Sequence, residues 1–218
     1  MLLTEGGIRF AIPKRRNTLL LFRPTVAGLR VGRLSCGFGR EMVMPRYIRA
    51  RVPGGQFFFT VALLERRRRL LTDHIDILRD AFRQVRRDRP FSIDAIVILP
   101  DHLHCIWTLP EGDADFSTRW RLIKTRFARQ LPTGERLSLR RQRKGERAIW
   151  QRRFWEHTIR SEAERAAIVD YIHFNPVKHG HVQRVRDWPH SSFHRYVRDG
   201  LLPEDWGISP DWRPGHAD

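Results

Sequence analysis

Cysteine is nearly missing from this chain. Cys36 and Cys105 are the only two in 218 residues. They lie far apart, and Cys105 falls in a run expected to form a central strand, so neither a disulfide framework nor a cysteine-based zinc site is expected. Long apolar runs are missing as well. No stretch approaches the roughly 20 apolar residues that span a bilayer. Leu19 to Phe22, the one apolar run near the start, is too short for a secretory h-region and has no cleavage-like sequence after it. The expectation is a protein without a membrane partner, located in the cytoplasm. Acidic residues are scarce relative to basic ones, 24 against 41, which gives a formal charge of +17 and a pI near 11.4. That lies above the value of about 9 that flags nucleic-acid-binding domains.

The basic excess is localised. From Arg119 to Arg160 there are 14 basic and 3 acidic residues, including the run Arg140-Arg141-Gln142-Arg143-Lys144. A polyanion is the expected partner, and phosphate binding by counterion release would be strongly salt-dependent. A solvated face or a membrane-surface patch would carry the same charge, so charge alone leaves these readings open. Arginine far outnumbers lysine, which suits bidentate phosphate contacts but also follows from a GC-rich genome.

The length suits one domain with extensions, and a hydrophobic fraction of 41% is enough for a core. Residues 1–43 show scattered Gly and basic residues without sustained periodicity. They are expected to be a disordered arm, or to lie upstream of a true start at Met44. Residues 44–188 read as the working domain and 189–218 as a tail; the aromatics beyond about Asp187, Trp188, Tyr196, Trp206 and Trp212, are expected to pack on the domain, with stacking on bases as the alternative.

Within the domain, Phe57–Leu64 reads as a strand after Pro53-Gly54-Gly55. Asp73–Arg87 carries Ile75, Leu78, Phe82 and Val85 at helical spacing, with Thr72 as the expected N-cap. Phe91–Leu99 and His102–Leu109 read as an antiparallel pair joined at Pro100-Asp101. Trp120, Ile123 and Phe127 mark a second helix with Arg121, Lys124 and Arg129 on its other side. Leu131–Lys144 reads as a polar loop and Ile149–Ile159 as a fourth strand. Ser161 with Glu164 reads as a capping box opening a third helix, which halts near Pro176 and Gly180. The order β-α-β-β-α-β plus a terminal helix predicts an α+β, ferredoxin-like split fold. Its four-stranded antiparallel sheet would have helices on one face and an open working face on the other.

Two clusters carry chemistry. In a strand, His102 and His104 point to the same face while Leu103 points to the other, so both imidazoles can reach one cation. In a helix, Tyr171 and Asn175 lie one above the other, so a cation held partly by Asn175 would sit beside the Tyr171 hydroxyl. Such a site suits Mg²⁺ or Mn²⁺ and leaves positions open for phosphate oxygens. Tyr171 is then the candidate nucleophile. Strand histidines are often merely hydrogen-bonded, and a helical tyrosine is often merely packed. Asn175 is harder to dismiss, because asparagine disfavours helix interiors. Glu156 and His157, on the fourth strand, are candidate accessory groups. Arg121, Lys124, Arg126, Arg140, Arg141, Arg143 and Lys144 are candidate phosphate contacts, with ordinary surface charge as the alternative. His173, His179 and His181 have no assigned role.

At these residues the sequence resembles a known family. Asp101-His102-Leu103-His104-Cys105-Ile106-Trp107 is similar to the His-hydrophobic-His motif of the HUH endonuclease superfamily. Tyr171-Ile172-His173-Phe174-Asn175-Pro176-Val177-Lys178-His179-Gly180 resembles the single-tyrosine helix of the bacterial REP-associated tyrosine transposases, and Trp150–His157 resembles the run that precedes that helix. Asn175 stands where related insertion-sequence transposases usually carry Gln. The resemblance implies a metal-dependent enzyme acting on single-stranded DNA beside a palindromic hairpin, through a 5′-phosphotyrosine link that a 3′-hydroxyl can reverse. A noncatalytic single-strand binder and a water-using metallonuclease are the competing readings. The chain could act as a monomer or a homodimer, with Tyr171 serving its own site or its partner's.

Overall fold

The computed structural model describes residues 49, 51–135, 139–143 and 145–207, the side chains of 140 and 142 excepted. All of them fall within one compact unit, Ser35–Pro214. The expected arm over 1–43, Lys144 and Trp212 lie outside the described residues. No helix among the described residues is long and apolar enough to cross a membrane.

Four strands, β1 (Gln56–Ala62), β2 (Ser92–Ile98), β3 (His102–Thr108) and β4 (Trp155–Thr158), form one sheet in the order β2-β3-β1-β4, with every neighbouring pair antiparallel. The helices are α1 (Leu70–Asp73), α2 (Ile75–Asp88), α3 (Phe116–Gln130), α4 (Leu139–Arg143), α5 (Glu162–Lys178) and α6 (Phe193–Arg198). This is the expected α+β split arrangement.

Alternation along the strands sorts the sheet into two faces. Phe57, Phe59, Val61, Leu103, Cys105 and Trp107 meet Leu78, Phe82 and Val85 of α2 and Trp120, Ile123 and Phe127 of α3 in the main core. Trp107 and Trp120 stack there at 4.2 Å and 17°, a contact worth about 0.5–1.5 kcal/mol beyond its buried area. The other face was expected to be open, and it is not. Phe58, Ala95, Val97 and Ile106 pack against Ile168, Val169 and Ile172 of α5, together with Trp188. The apolar members of that face are what require the cover; only part of it is left for polar work.

Several local expectations are corrected. Thr72 caps nothing: its hydroxyl donates back to the Arg69 carbonyl, and α2 starts after His74 without a side-chain cap. The fourth strand is confined to Trp155–Thr158. Upstream, Trp150 makes a lone bridge to Leu63, and the Gln151 and Arg152 carbonyls accept from Lys124 Nζ rather than from a strand. The polar loop after α3 contains the short helix α4. Helix α5 does halt where expected, at Lys178 between Pro176 and Gly180, with Pro176 inside its last turn. Residues 189–207 are built into the domain. His190 and Ser192 exchange backbone hydrogen bonds with Ile98 and Ile96 along the outer edge of β2, Phe193 packs with Phe174 and Val185, and Trp206 packs against them.

Candidate active site

The pairing of β1 with β3 sets Thr60 opposite His104 and Ala62 opposite His102. His102 and His104 therefore share a face, with ring centroids 4.9 Å apart, and both are buried. Each ring is held through Nδ1. His104 Nδ1 lies 2.9 Å from Thr60 Oγ1. His102 Nδ1 lies 2.7 Å from Asp101 Oδ1, with Arg66 Nη2 at 3.2 Å and the Arg66 guanidinium paired to the same carboxylate. Donation from Nδ1–H to these oxygens leaves the Nε2 lone pairs as the available ones, the arrangement typical of metal-binding histidines. Burial pushes both imidazoles below their usual pKa, His104 well below, and for His102 the neighbouring carboxylate opposes the shift. The neutral form, which carries the lone pair, is thus favoured.

Helix α5 delivers the second cluster. Ser161 Oγ accepts from Glu164 N, while the Glu164 carboxylate takes Arg160 N–H and reaches His157 Nε2 at 2.6 Å, which fixes the helix start against β4. Its far end closes with Gly180 N–H on Val177 O and His181 N–H on Pro176 O, with Gly180 at φ 68°, the glycine-terminated helix end that only a residue free of Cβ adopts without strain. Between these ends, Tyr171 sits against His104. Its ring centroid is 5.2 Å from that of His104 and 6.1 Å, edge on, from that of Phe58. Lys178 Nζ stands 5.2 Å from the Tyr171 ring. Burial raises the Tyr171 pKa and the adjacent Asn175 amide pulls it back. All of these groups belong to one chain.

Asn175 is fully buried, and neither its Oδ1 nor its Nδ2 closes a well-formed hydrogen bond; His104 Nε2 is likewise buried without a partner. Orphaned buried polar atoms are costly, at about 1–3 kcal/mol each. An imidazole nitrogen and an amide oxygen left without partners, with the His102 ring 4.9 Å from that of His104, fit a divalent cation as the missing neighbour. Among the described residues, no group of three or more His, Cys, Asp or Glu could hold a metal.

Residues 58–175 match the family of IS200-like transposases. The chain is 52% identical over 163 residues to the REP-associated tyrosine transposase of Escherichia coli K12, covering 75% of this chain and 91% of that protein. It is 48% identical over 169 residues to a relative from Haemophilus influenzae, covering 77% and 96%. A solved REP-associated tyrosine transposase bound to a REP hairpin superposes with a TM-score of 0.66 at 50% identity, over 79% of this chain and 98% of that one. The chain belongs to the REP-associated tyrosine transposases. As a tyrosine transposase it is a DNA nicking and joining enzyme.

The other expected site residues of this transposase are scattered. Glu156 pairs in register with Phe59, so it points to the α2–α3 side of the sheet, where it binds Arg49 at 2.8 Å; it is remote from the histidines. His157 shares their face but serves the start of α5. Arg121, Lys124 and Arg126 ride on α3, on the opposite layer of the sheet from His102 and His104. Lys124 is spent on backbone carbonyls, and burial beside Arg49 and Arg141 lowers its pKa to about 8. Arg126 pairs with Asp88 at 2.7 Å, and Arg141 donates to Arg147 O. Arg121 and Arg143 are exposed; the backbone of Arg140 lies in α4. His173 is fully buried against Ser192 Oγ, and burial takes its pKa down to about 3.

Sequence reading missed Thr60 and Asp101 as supports, and it missed the cleft beside the site. That cleft, of about 390 Å³, is lined by Arg66, Arg67, Arg68, Arg69, Asp101, His102, His179 and His181 among others. The His179 ring is 5.2 Å from that of His102. Four consecutive arginines soon after β1 can be seen in the sequence, but only the pairing of Ala62 with His102 places them beside the histidines.

Proposed function

We propose that this transposase cleaves and rejoins single-stranded DNA beside a REP-type hairpin through a covalent bond to Tyr171. The observation that carries the reading is the contact of Tyr171 with His104 and Asn175, two residues that keep buried, unpartnered donor atoms within one chain. Phenolic oxygen attack on a phosphodiester forms the O–P bond of a 5′-phosphotyrosine and breaks the bond to the 3′ oxygen. The phenol proton is lost, and the departing strand takes up a proton as its 3′-hydroxyl. Attack by a 3′-hydroxyl on the same phosphorus reverses the step, so nicking and joining are one reaction in two directions.

His102, His104 and Asn175 would hold the divalent ion, and two imidazoles in the donor set favour Mn²⁺ over the harder Mg²⁺. When bound, the ion would polarise the scissile phosphate as a Lewis acid. Thr60 and Asp101 fix the imidazole orientations. Lys178, beside the Tyr171 ring, places positive charge where a phenolate forms. Arg66 to Arg69 offer phosphate contacts to the strand at the cleft. Arg121, Arg140, Arg141, Arg143 and Lys144 remain for the hairpin, outside the chemistry.

The test is Tyr171→Phe with a labelled single-stranded oligonucleotide bearing a hairpin, with and without Mn²⁺. The wild type is expected to form a denaturation-resistant protein–DNA adduct only with the ion. The variant should form none while binding the DNA within about twofold. Adduct formation by the variant removes Tyr171 from the reaction, and cleavage by the wild type without adduct makes water the nucleophile.

A further inference from the structure

Trp107, Trp120, Trp150 and Trp188 are buried, whereas Trp155 is 42% exposed. It opens β4, an edge strand, and pairs in register with Thr60, the residue that holds His104. Directly opposed residues of an antiparallel pair share a face, so the indole stands on the active-site side of the sheet. Phe58 joins it to the chemistry. The Phe58 ring meets Trp155 edge on at 5.5 Å, Tyr171 edge on at 6.1 Å and His104 near parallel at 5.7 Å. The His157 ring lies parallel to the indole at 5.8 Å and 6°, so the indole is braced from its own strand. Trp155 is therefore one ring removed from both the tyrosine and the histidine, and it still offers surface to solvent.

The flanking charge narrows what can cover it. Arg152, Arg153 and Arg160 are exposed on the same stretch. An apolar protein partner would have to desolvate these cations, whereas a nucleotide brings both a flat ring for the indole and a phosphate for the arginines. Aromatics interleaved with basic residues are the usual construction of single-strand grooves. Bases within a duplex are already stacked on both faces, so an exposed indole selects an unpaired one.

We propose that Trp155 is the stacking platform for an unpaired nucleobase of the strand entering the active site. The proposal deepens the nicking reading and rests on it for the strand's path. The experiment compares a hairpin carrying a single-stranded flank with the same hairpin lacking it, and replaces each flank position in turn by an abasic site. Affinity is read by fluorescence anisotropy for the wild type, Trp155→Ala and Trp155→Phe. Removing one base–aromatic stack is expected to weaken binding of the flanked hairpin by about 5- to 150-fold in Trp155→Ala, with hairpin-only binding within about twofold. Phe should recover most of that affinity. One abasic position should reproduce the weakening in the wild type and add nothing in Trp155→Ala. Equal weakening on both substrates, unchanged affinity, or insensitivity to every abasic position would overturn the proposal. The abasic series uses the wild type, so it decides even where the alanine variant folds poorly. Adduct formation is scored separately. An adduct with no flank-specific effect of Trp155 sinks the platform alone, and a flank-specific effect without any adduct sinks Tyr171 as nucleophile alone.

Discussion

Thr60 shows what a single side chain contributes here. Its hydroxyl is the partner of His104 Nδ1, and without it the ring can turn or adopt the tautomer whose Nε2 carries hydrogen. Thr60→Val keeps the β-branched shape and removes the partner. Deleting such a support usually costs 10- to 100-fold in metal affinity or activity. The Mn²⁺ concentration for half-maximal adduct should rise by about that factor, with the maximal yield approached at high ion. Lys124 gives the contrasting case. Its pKa falls to about 8 in the fold against about 10.4 in an unfolded chain, so the unfolded state binds more protons between these values and stability from this group rises with pH across that window. Urea unfolding at pH 7.5 and 9.5 should show the wild type gaining up to about 2 kcal/mol relative to Lys124→Met. DNA affinity of the variant should be nearly unchanged. His102, His104, Tyr171 and Asn175 were legible in the sequence because strand and helix periodicities place residues that are neighbours in sequence. Thr60 and the Arg66–Arg69 run were not, because only the pairing of β1 with β3 brings them to the histidines.

Helix α5 owes its register to its ends more than to amphipathicity, since apolar residues such as Ile168, Val169, Ile172 and Phe174 are buried on more than one side of it. The capping serine and the terminal glycine were both readable, because their chemistry is local. Gly180→Ala should test the C-terminal end cleanly. Nothing lies within 4 Å of the Cβ it would gain, so the cost is the left-handed backbone alone, roughly 1–2 kcal/mol. For a domain of this size, that corresponds to a fall in Tm of about 2–8 °C. Far-UV circular dichroism melting measures it, and adduct yield at low temperature should persist. The overlong fourth strand has a similarly local cause that composition hides. Residues 149–154 carry apolar and aromatic side chains, and Ile149 and Gln151 do bond to Leu64 and Ala62, but a lysine from another element takes the Gln151 and Arg152 carbonyls and the ladder is interrupted there.

At the level of the whole molecule, the sheet separates stability from chemistry incompletely. One face is fully covered by α2 and α3; the other is divided between an apolar half under α5 and a polar half holding the histidines. The expectation of an open face failed because Phe58, Val97 and Ile106 lie on that side, and β-strand alternation assigns them there without saying what covers them. The charge reading was incomplete in a related way: summing cations along the chain singled out Arg119–Arg160, while the cleft beside the site is lined by four arginines elsewhere. These populations should separate in salt. Removing one cation from a phosphate reduces the slope of log K against log salt by about 0.7 on single strands and 0.9 on duplex. Replacing Arg67 and Arg68 by Ser should therefore flatten the slope for a flanked hairpin by about 1.4 between roughly 50 and 200 mM salt, and leave the slope for the bare hairpin in place. Replacing Arg121 should instead flatten the two slopes together, by about 0.7 to 0.9, because α3 packs on the other layer of the sheet from the cleft. Equal flattening by Arg67 and Arg68 on both DNAs would mean that the run acts as a diffuse field and does not hold the strand.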